Sequence, residues 1–292
     1  MRVRAIAAAA TAIALSAFSP AASALAAHDV TAPVISTNVY ASFVVGSVIS
    51  AADYRVSNDL EAQTTKVDQR MTYTINDDSG RICGINIFRL TYEGQSYPPN
   101  DNYLVYDDLV IHSTPFRASI TLQNDDYFGQ LGDTEDSTVG WLIYATDCYG
   151  NGSAVRVYSK PVVVQQDGYD WSGSSTGTVA STGTWRTVSC ACASGRTMAM
   201  TTARSASISY TDTYDEDGEH MAVVMARGPA RGSAAIFVDG VRVKTVNTWA
   251  AANGNRVVVF QRAMPAGRHV VKVVNLATNG HARIDVDAFM TN

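Results

Sequence analysis

The sequence predicts an all-β protein made of two antiparallel β-sandwich domains. Short runs rich in β-branched residues recur along the chain, and turn residues such as Asp-Gly and Asn-Gly separate them. No stretch with helical periodicity interrupts these runs after the N-terminus. A segment rich in Gly, Ser and Thr at 166–183 divides the chain into two parts of ordinary domain size.

Residues 1–26 have the pattern of a secretory signal peptide. Arg2 and Arg4 precede an apolar stretch at 5–18, and Ala24-Leu25-Ala26 is a small-x-small cleavage motif. A membrane anchor is the alternative, but the apolar stretch is short for a span. The interpretation therefore favours a secreted, extracellular protein of bacterial type.

The net negative charge of the chain excludes some classes of binding partner. The formal net charge of the chain is −5, and removal of two arginines with the leader gives −5 − 2 = −7. An acidic protein lacks the basic footprint that nucleic acids and anionic lipids require. We therefore expect no nucleic-acid partner, and no later run is apolar enough for an integral membrane span.

The first domain is predicted at 30–165. About seven short strands at roughly ten-residue spacing are typical of a β-sandwich. Asp-x-x-Gly occurs after two of the strands, at Asp77–Gly80 and Asp147–Gly150. Aspartate caps such turns and glycine takes the positive-φ position, so turn formation is favoured over a catalytic carboxylate pair.

The second domain is predicted at 184–292, after the linker at 166–183. Its centre is the ribbon 234–260, where Asp239-Gly240 between alternating runs indicates a type I′ hairpin. Asn253-Gly254 precedes a third run, and a fourth follows Gly267. About eight antiparallel strands without a helix predict a jelly-roll sandwich.

Four cysteines in an oxidising compartment indicate disulfides. They allow three pairings, and sequence alone does not choose among them. Cys83 and Cys148 both lie at turns that end strand-like runs, which favours a Cys83–Cys148 bridge. A Cys190–Cys192 bridge is less favoured, because in a strand their Cα atoms would lie roughly 6.5–7 Å apart. Zinc binding by this pair lacks a second pair of ligands.

Four motifs in the second domain carry a resemblance to a known module. They are GPARG at 228–232, VDG at 238–240, GRH at 267–269 and VDAF at 286–289. In this order they resemble the galactose-binding-like jelly roll of several carbohydrate-binding module families in secreted bacterial proteins. The preceding domain is similar to immunoglobulin-like or fibronectin type III-like domains. The resemblance implies a binding role without identifying a sugar.

Sugar binding requires exposed aromatic faces beside polar groups that contact hydroxyls. Trp249 is the leading aromatic candidate, because its polar turn has little apolar mass to bury an indole, whereas Trp185 begins a strand and is interpreted as core. Arg231 has a structural alternative, a link to Asp285 or Asp287. The full set of ligand-binding candidates is Trp249, Tyr214, Arg227, Arg231, Asn253 and Asn255.

No cofactor is expected except a structural calcium ion. In similar jelly rolls an aspartate near the last strand helps to hold calcium, and Asp285 and Asp287 share a face of that strand. The alternative for both is a charge-pair or capping role.

Catalysis has little support in the sequence. The five histidines show no metal-ligand spacing. The sequence therefore favours a secreted, non-catalytic protein that binds polysaccharide or cell-wall glycan. A structural or protein-interaction protein of the cell envelope is the alternative, and a glycoside hydrolase or its accessory protein is the third hypothesis.

Overall fold

The computed structural model describes residues 29–49, 65–90, 104–126, 140–158, 161–168 and 177–292. The predicted signal peptide at 1–26 lies outside these residues. Apart from a single 3₁₀ turn at Ser194–Arg196, every regular element of the described chain is a strand. The all-β fold class is therefore confirmed. None of the described residues form a helix with the length and hydropathy needed to cross a bilayer.

The first sandwich consists of two antiparallel sheets. In sheet 1, β3 lies between β7 on one edge and β1 and β2 on the other; in sheet 2, β4 lies between β8, which β9 extends, and β5 and β6. The strands are β1 (Val34–Thr37), β2 (Ser42–Phe43), β3 (Thr65–Asn76), β4 (Arg81–Leu90), β5 (Leu104–Asp108), β6 (His112–Ser113), β7 (Phe116–Asp126), β8 (Gly140–Asp147) and β9 (Gly152–Tyr158).

Side chains along these strands alternate between the two faces of each sheet, and those on the inner faces form the first core. Met71 and Ile75 from sheet 1 meet Ile85, Trp141 and Ile143 from sheet 2, and all five are almost fully buried. The side chains between them face outward, as the two-residue period of a strand requires.

The two Asp-x-x-Gly motifs form turns, as predicted. The backbone N–H of Ser79 donates to Asp77 Oδ1 (3.0 Å), and that of Tyr149 donates to Asp147 Oδ1 (2.8 Å). The closing glycines have φ values of 76° and 93°. Local capping therefore accounts for both aspartates.

The second sandwich has two larger antiparallel sheets. Sheet 3 has the order β12-β13-β20-β15-β18, with β10 also paired to β20, and sheet 4 has the order β11-β14-β19-β16-β17. The strands are β10 (Val162–Gln165), β11 (Thr178–Thr182), β12 (Arg186–Ser189), β13 (Thr197–Thr201), β14 (Ser207–Tyr214), β15 (His220–Arg227), β16 (Ser233–Val238), β17 (Val241–Asn247), β18 (Gly254–Ala263), β19 (Gly267–Asn275) and β20 (Ile284–Thr291).

The predicted hairpin is present between β16 and β17. Asp239 and Gly240 have φ values of 52° and 80°, the positive pair that a type I′ turn needs. β18 then crosses to sheet 3, so the ribbon predicted at 234–260 is divided between the two sheets.

Two strands differ from the predicted organisation. Val162–Gln165, assigned above to the first sandwich, pairs with β20 of the second, and Thr178–Thr182, assigned to the linker, pairs with β14. Val162 and Val164 face the second core while Val163 faces the first sandwich. A run of three valines suits a strand covered on both faces, and a Thr/Val-rich segment has strand propensity despite its linker-like composition.

Sheet 3 is covered on both faces. Its outer face packs on the first sandwich through a shared apolar cluster, to which Phe43, Ile49 and Val67 contribute from the first domain. The segment 44–49 also hydrogen-bonds to β18, with Gly46 N–H donating to Val258 O (2.8 Å) and Val258 N–H to Ser47 O (3.0 Å). This coverage explains why β15 and β20 are buried along almost their whole length.

Two disulfides use all four cysteines. Cys83 and Cys148 are bridged with a Cα–Cα distance of 4.9 Å, as predicted. Cys190 and Cys192 are also bridged, with Cα atoms 5.0 Å apart. Their separation is shorter than the strand-based expectation because β12 ends at Ser189 and the chain turns at 191–192.

Candidate functional site

Three connections meet at one end of the second sandwich and form a loop face. They are residues 228–232 between β15 and β16, 248–253 between β17 and β18, and 276–283 between β19 and β20. The N–H of Gly228 donates to Thr248 O (3.0 Å), and the N–H of Gly232 donates to Arg283 O (2.8 Å). The three loops are thus joined through their backbones.

The glycines of the GPARG motif are required by these close approaches. A Cβ atom at Gly232 would lie 1.7 Å from the carbonyl oxygen of His281. A Cβ atom at Gly228 would lie 2.3 Å from Asn253 Oδ1 and 2.4 Å from Arg231 Nη1. A side chain at Gly232 would displace the backbone of the neighbouring loop, and one at Gly228 would displace the hydrogen-bonded side chains of Asn253 and Arg231.

Arg231 is the buried centre of the loop face. Its Nε donates to Asp285 Oδ2 (2.6 Å), and its Nη1 donates to Asn253 Oδ1 (3.0 Å) and to the carbonyl oxygen of Arg227 (3.2 Å). The predicted link between Arg231 and Asp285 is therefore present. Arg231 is buried and joins the loops, as its structural alternative predicts, whereas Asn253 accepts this hydrogen bond and stays exposed at the surface.

Asp285 is engaged on both carboxylate oxygens. Arg231 Nε donates a hydrogen bond to Oδ2, and Arg283 Nε donates one to Oδ1 (2.7 Å). The aspartate is 0% exposed. A calcium ion at this carboxylate would have to displace two guanidinium groups. The geometry of Asp285 therefore matches the charge-pair role that was the alternative to calcium binding. Among the described residues, the acidic trio with metal-compatible spacing is instead Asp29, Asp77 and Asp78 in the first sandwich.

Asp287 is buried beside the turn that carries the second disulfide. The N–H of Ser194 donates to its Oδ1 (2.9 Å), whereas Oδ2 has no hydrogen-bond partner among the described residues. Burial raises the pKa of Asp287 to about 8, the nearby Asp285 adds to the increase, and Arg256 opposes it. The carboxyl group is thus protonated in the folded protein at neutral pH.

This protonation predicts a pH-dependent stability. The unfolded chain releases the Asp287 proton near 3.8 and the folded chain near 8, so the free energy of unfolding falls as pH rises between these values and then levels off. Asp287→Asn keeps the group neutral. We expect the variant to be more stable than the parent at pH 8, by about 1–3 kcal/mol.

Denaturant titrations between pH 6.5 and pH 8 test this expectation. The pKa of buried His220 is lowered from 6.5 to about 4, so in this window His220 titrates only in the unfolded chain, and it adds the same small pH dependence to the parent and to the variant. The parent protein should lose stability across the window while Asp287→Asn does not. Parallel pH profiles would show that Asp287 is ionised in the folded state.

Trp249 remains as the exposed aromatic side chain of the loop face. Its indole is 48% exposed, and its backbone forms a bridge with Gly228. The ring of His281 contacts the indole edge-on, with centroids 6.3 Å apart. The predicted exposure of Trp249 is confirmed, and the indole stands on a base fixed by the Arg231–Asp285 pair.

The remaining candidates divide between two locations. Arg227 ends β15 and pairs with Gly254, and Asn255 follows in β18, so both lie near the loop face. Tyr214 is only 4% exposed and belongs to the second core. It pairs with Gly267 at the other end of β19, and the structure does not bring it together with Trp249.

Two further residues contribute to the surroundings: His281, which the sequence did not single out, and Trp185, which was considered as an aromatic candidate and interpreted as core. His281 closes the turn Thr278–His281, in which Gly280 has φ 74°, and this turn is the sequence feature that places it beside GPARG. Trp185 packs against the core as expected but also lines a cleft. No sequence pattern marks that cleft, because it depends on how two sheet edges approach.

No protein-family model matches the chain, and no curated protein matches it. The structural neighbours are carbohydrate-binding modules and glycoside hydrolase domains. They include the CBM36-1 domain of a multidomain xylanase from the hindgut metagenome of Trinervitermes trinervoides, with 11% identity, a TM-score of 0.33, and coverage of 45% of this chain and 96% of that domain.

Two further neighbours are longer proteins. The Podospora anserina GH26-CBM35 β-(1,4)-mannanase has 15% identity and a TM-score of 0.32, and the catalytic domain of a GH87 α-1,3-glucanase in complex with nigerose has 16% identity and a TM-score of 0.30. Each match covers 45% of this chain, and 27% and 28% of the respective neighbours.

Proposed function

We propose that the protein is a secreted, non-catalytic protein that binds polysaccharide or cell-wall glycan through the loop face. The observation that carries the proposal is the half-exposed indole of Trp249 on a rigid base. An exposed, preoriented indole offers an apolar surface to the C–H face of a pyranose ring at little entropic cost.

Binding rather than catalysis fits the chemistry of the loop face. Asp285, the carboxylate beneath it, is fully buried and engaged by two arginines. It is not positioned to exchange a proton with a ligand at the surface.

Trp249→Ala tests the proposal directly. We expect the variant to lose retention on the cognate polymer, because each stacked ring contributes about 0.5–1.5 kcal/mol, or roughly two- to tenfold in affinity. The melting temperature should stay close to that of the parent, since a half-exposed side chain adds little to the core. The measurement is retention of the mature protein on insoluble chitin, cellulose and peptidoglycan.

Tyr149→Ala is a matched control, since Tyr149 is an aromatic residue that is 50% exposed on the first sandwich. It should bind like the parent. A large drop in the melting temperature of Trp249→Ala would make Trp249 a packing residue, and unchanged retention would remove it from the binding site.

The cell-envelope alternative has one observation in its favour. Leu109, Val110 and Ile111 form an exposed apolar tip between β5 and β6, with exposures of 72%, 65% and 58%. Such a run on the surface is typical of a protein contact. Under this alternative none of the three polymers retains the parent protein.

A further inference from the structure

The cleft lined by Trp185 lies on the side of the second sandwich away from β17 and β18. It opens where edge strand β11 of sheet 4 faces edge strand β12 of sheet 3, and its volume is about 300 Å³. Val179, Ala199 and Ile208 supply apolar lining. The remaining lining residues are aromatic or polar: Gln166, Asp167, Ser181, Trp185, Arg186 and Thr187.

The indole of Trp185 is fixed in this cleft. Its Nε1–H donates to the carbonyl oxygens of Thr182 (3.0 Å) and Ser207 (3.2 Å), and the ring packs against the second core. Because the N–H is already engaged, the ring can offer a ligand only its carbon surface. A preoriented indole of this kind suits stacking on a sugar face.

Gln166 is a built polar element of the cleft. Its side chain is 6% exposed, and the amide orientation that satisfies both ends has the nitrogen donating to Asp287 O (3.0 Å) and Thr197 O (3.2 Å). Its oxygen accepts from Thr197 Oγ1 (2.9 Å). An amide oxygen can accept two hydrogen bonds, and Gln166 is a lining residue of the cleft.

The charge of the lining residues and the volume of the cleft limit the class of ligand that fits. Asp167 and Arg186 are both lining residues with opposite formal charges, so the lining carries no net charge and favours neither an anion nor a cation. Ser181 and Thr187 both donate and accept. The volume lies at the lower limit of ligand sites, which suits one ring rather than a long chain.

We propose that this cleft binds one neutral monosaccharide unit, with its C–H face on Trp185 and its hydroxyl edge toward Gln166, Asp167 and Arg186. The proposal does not depend on Trp249, because the two sites lie at opposite edges of the sandwich. The unit is either a free sugar or the end residue of a glycan, and the test distinguishes these sources.

The test follows the indole N–H resonances of ¹⁵N-labelled protein by NMR during titration with defined probes. The neutral probes are glucose, galactose, xylose, N-acetylglucosamine and their methyl glycosides, and the charged probes are glucuronate and glucosamine. We expect at least one neutral probe to shift the Trp185 resonance at millimolar concentration, in the parent and in Trp249→Ala. A shift by a methyl glycoside identifies a glycan end, and a shift by the free sugar alone identifies a free monosaccharide.

Ser181→Tyr supplies the decisive variant, since Trp185→Ala would also remove a core contact. Ser181 is exposed on β11 and lines the cleft, so a tyrosine there fills the space. We expect the apparent affinity for the probe to fall by about tenfold or more. Thr178→Tyr is the matched control, because Thr178 is exposed on the same strand but three residues away, on the opposite face.

Three results would overturn the proposal: no shift of the Trp185 resonance with any neutral probe, an unchanged shift in Ser181→Tyr, or a response to the charged probes alone. Loss of polymer retention in Trp249→Ala with an intact Trp185 response supports both sites. An intact Trp185 response without any effect of Trp249→Ala removes the loop-face function and leaves the cleft.

Discussion

Arg231→Ala should destabilise the second sandwich by about 3–5 kcal/mol, because it leaves the carboxylate of Asp285 buried without its main partner. The side chain of Asp285 is 0% exposed and that of Arg231 is 10% exposed, so the pair is shielded from solvent. The substitution also removes the hydrogen bonds to Asn253 and to the carbonyl oxygen of Arg227, which join two loops of the loop face. Calorimetry or urea unfolding of the parent and the variant measures the loss.

Arg283→Ala is the matched control, since Arg283 holds the other oxygen of the same carboxylate. The Arg283 side chain is 32% exposed, so solvent weakens this pair, but the substitution still leaves a buried carboxylate oxygen without its donor, and the loss should be about 1–2 kcal/mol. Replacing both partners of the buried pair, as in Arg231→Met with Asp285→Leu, should recover much of the stability. Equal, small losses for Arg231→Ala and Arg283→Ala would show that the pair does not stabilise the fold.

Local patterns in the sequence were sufficient for most strands and turns. The type I′ turn at Asp239-Gly240 and the capped turns at Asp77 and Asp147 depend on the conformational preferences of a few adjacent residues, and all three are present. The Cys83–Cys148 bridge also followed from the positions of both cysteines at strand ends. These features could be predicted because their causes are local.

The errors concern contacts between distant parts of the chain. The Val162–Gln165 strand was assigned to the first sandwich together with the strands that precede it in sequence. Its pairing partner is Ala288–Thr291, at the opposite end of the chain. Tyr214 was proposed as an aromatic ligand contact, whereas the inward period of β14 buries its ring. Composition reports neither the partner of a strand nor the direction in which a side chain points.

The loop face was predicted in part for the same reason. A link from Arg231 to Asp285 or Asp287 followed from an arginine in a tight glycine turn and from the acidic last strand, and the structure shows the link to Asp285. The contact of His281 with Trp249, and the cleft beside Trp185, require the packing of loops and sheet edges that are far apart in sequence. The candidate aromatic residue was therefore identified, but its surroundings were not.

Removal of the Cys83–Cys148 bridge, by serine at both positions, should destabilise the first sandwich by about 4 kcal/mol. The bridge closes a loop of 65 residues, and in the chain-entropy model opening it restores the freedom of that whole segment to the unfolded state. It also joins β4 to the turn after β8, the two central strands of sheet 2. The measurement is the unfolding midpoint of the first sandwich in urea. The second sandwich is followed separately by the indole N–H resonance of Trp185 in NMR spectra.

Serine at Cys190 and Cys192 gives the matched control within the same protein. That bridge spans a sequence separation of only 2, so its removal releases little chain entropy and should cost about 1–2 kcal/mol. The effect should appear in the second sandwich rather than the first, because the turn at 191–192 lies between β12 and β13, which pair in that sandwich. A smaller loss for the Cys83–Cys148 pair than for the Cys190–Cys192 pair would contradict the loop-length argument and assign the stabilisation to packing around the sulfur atoms.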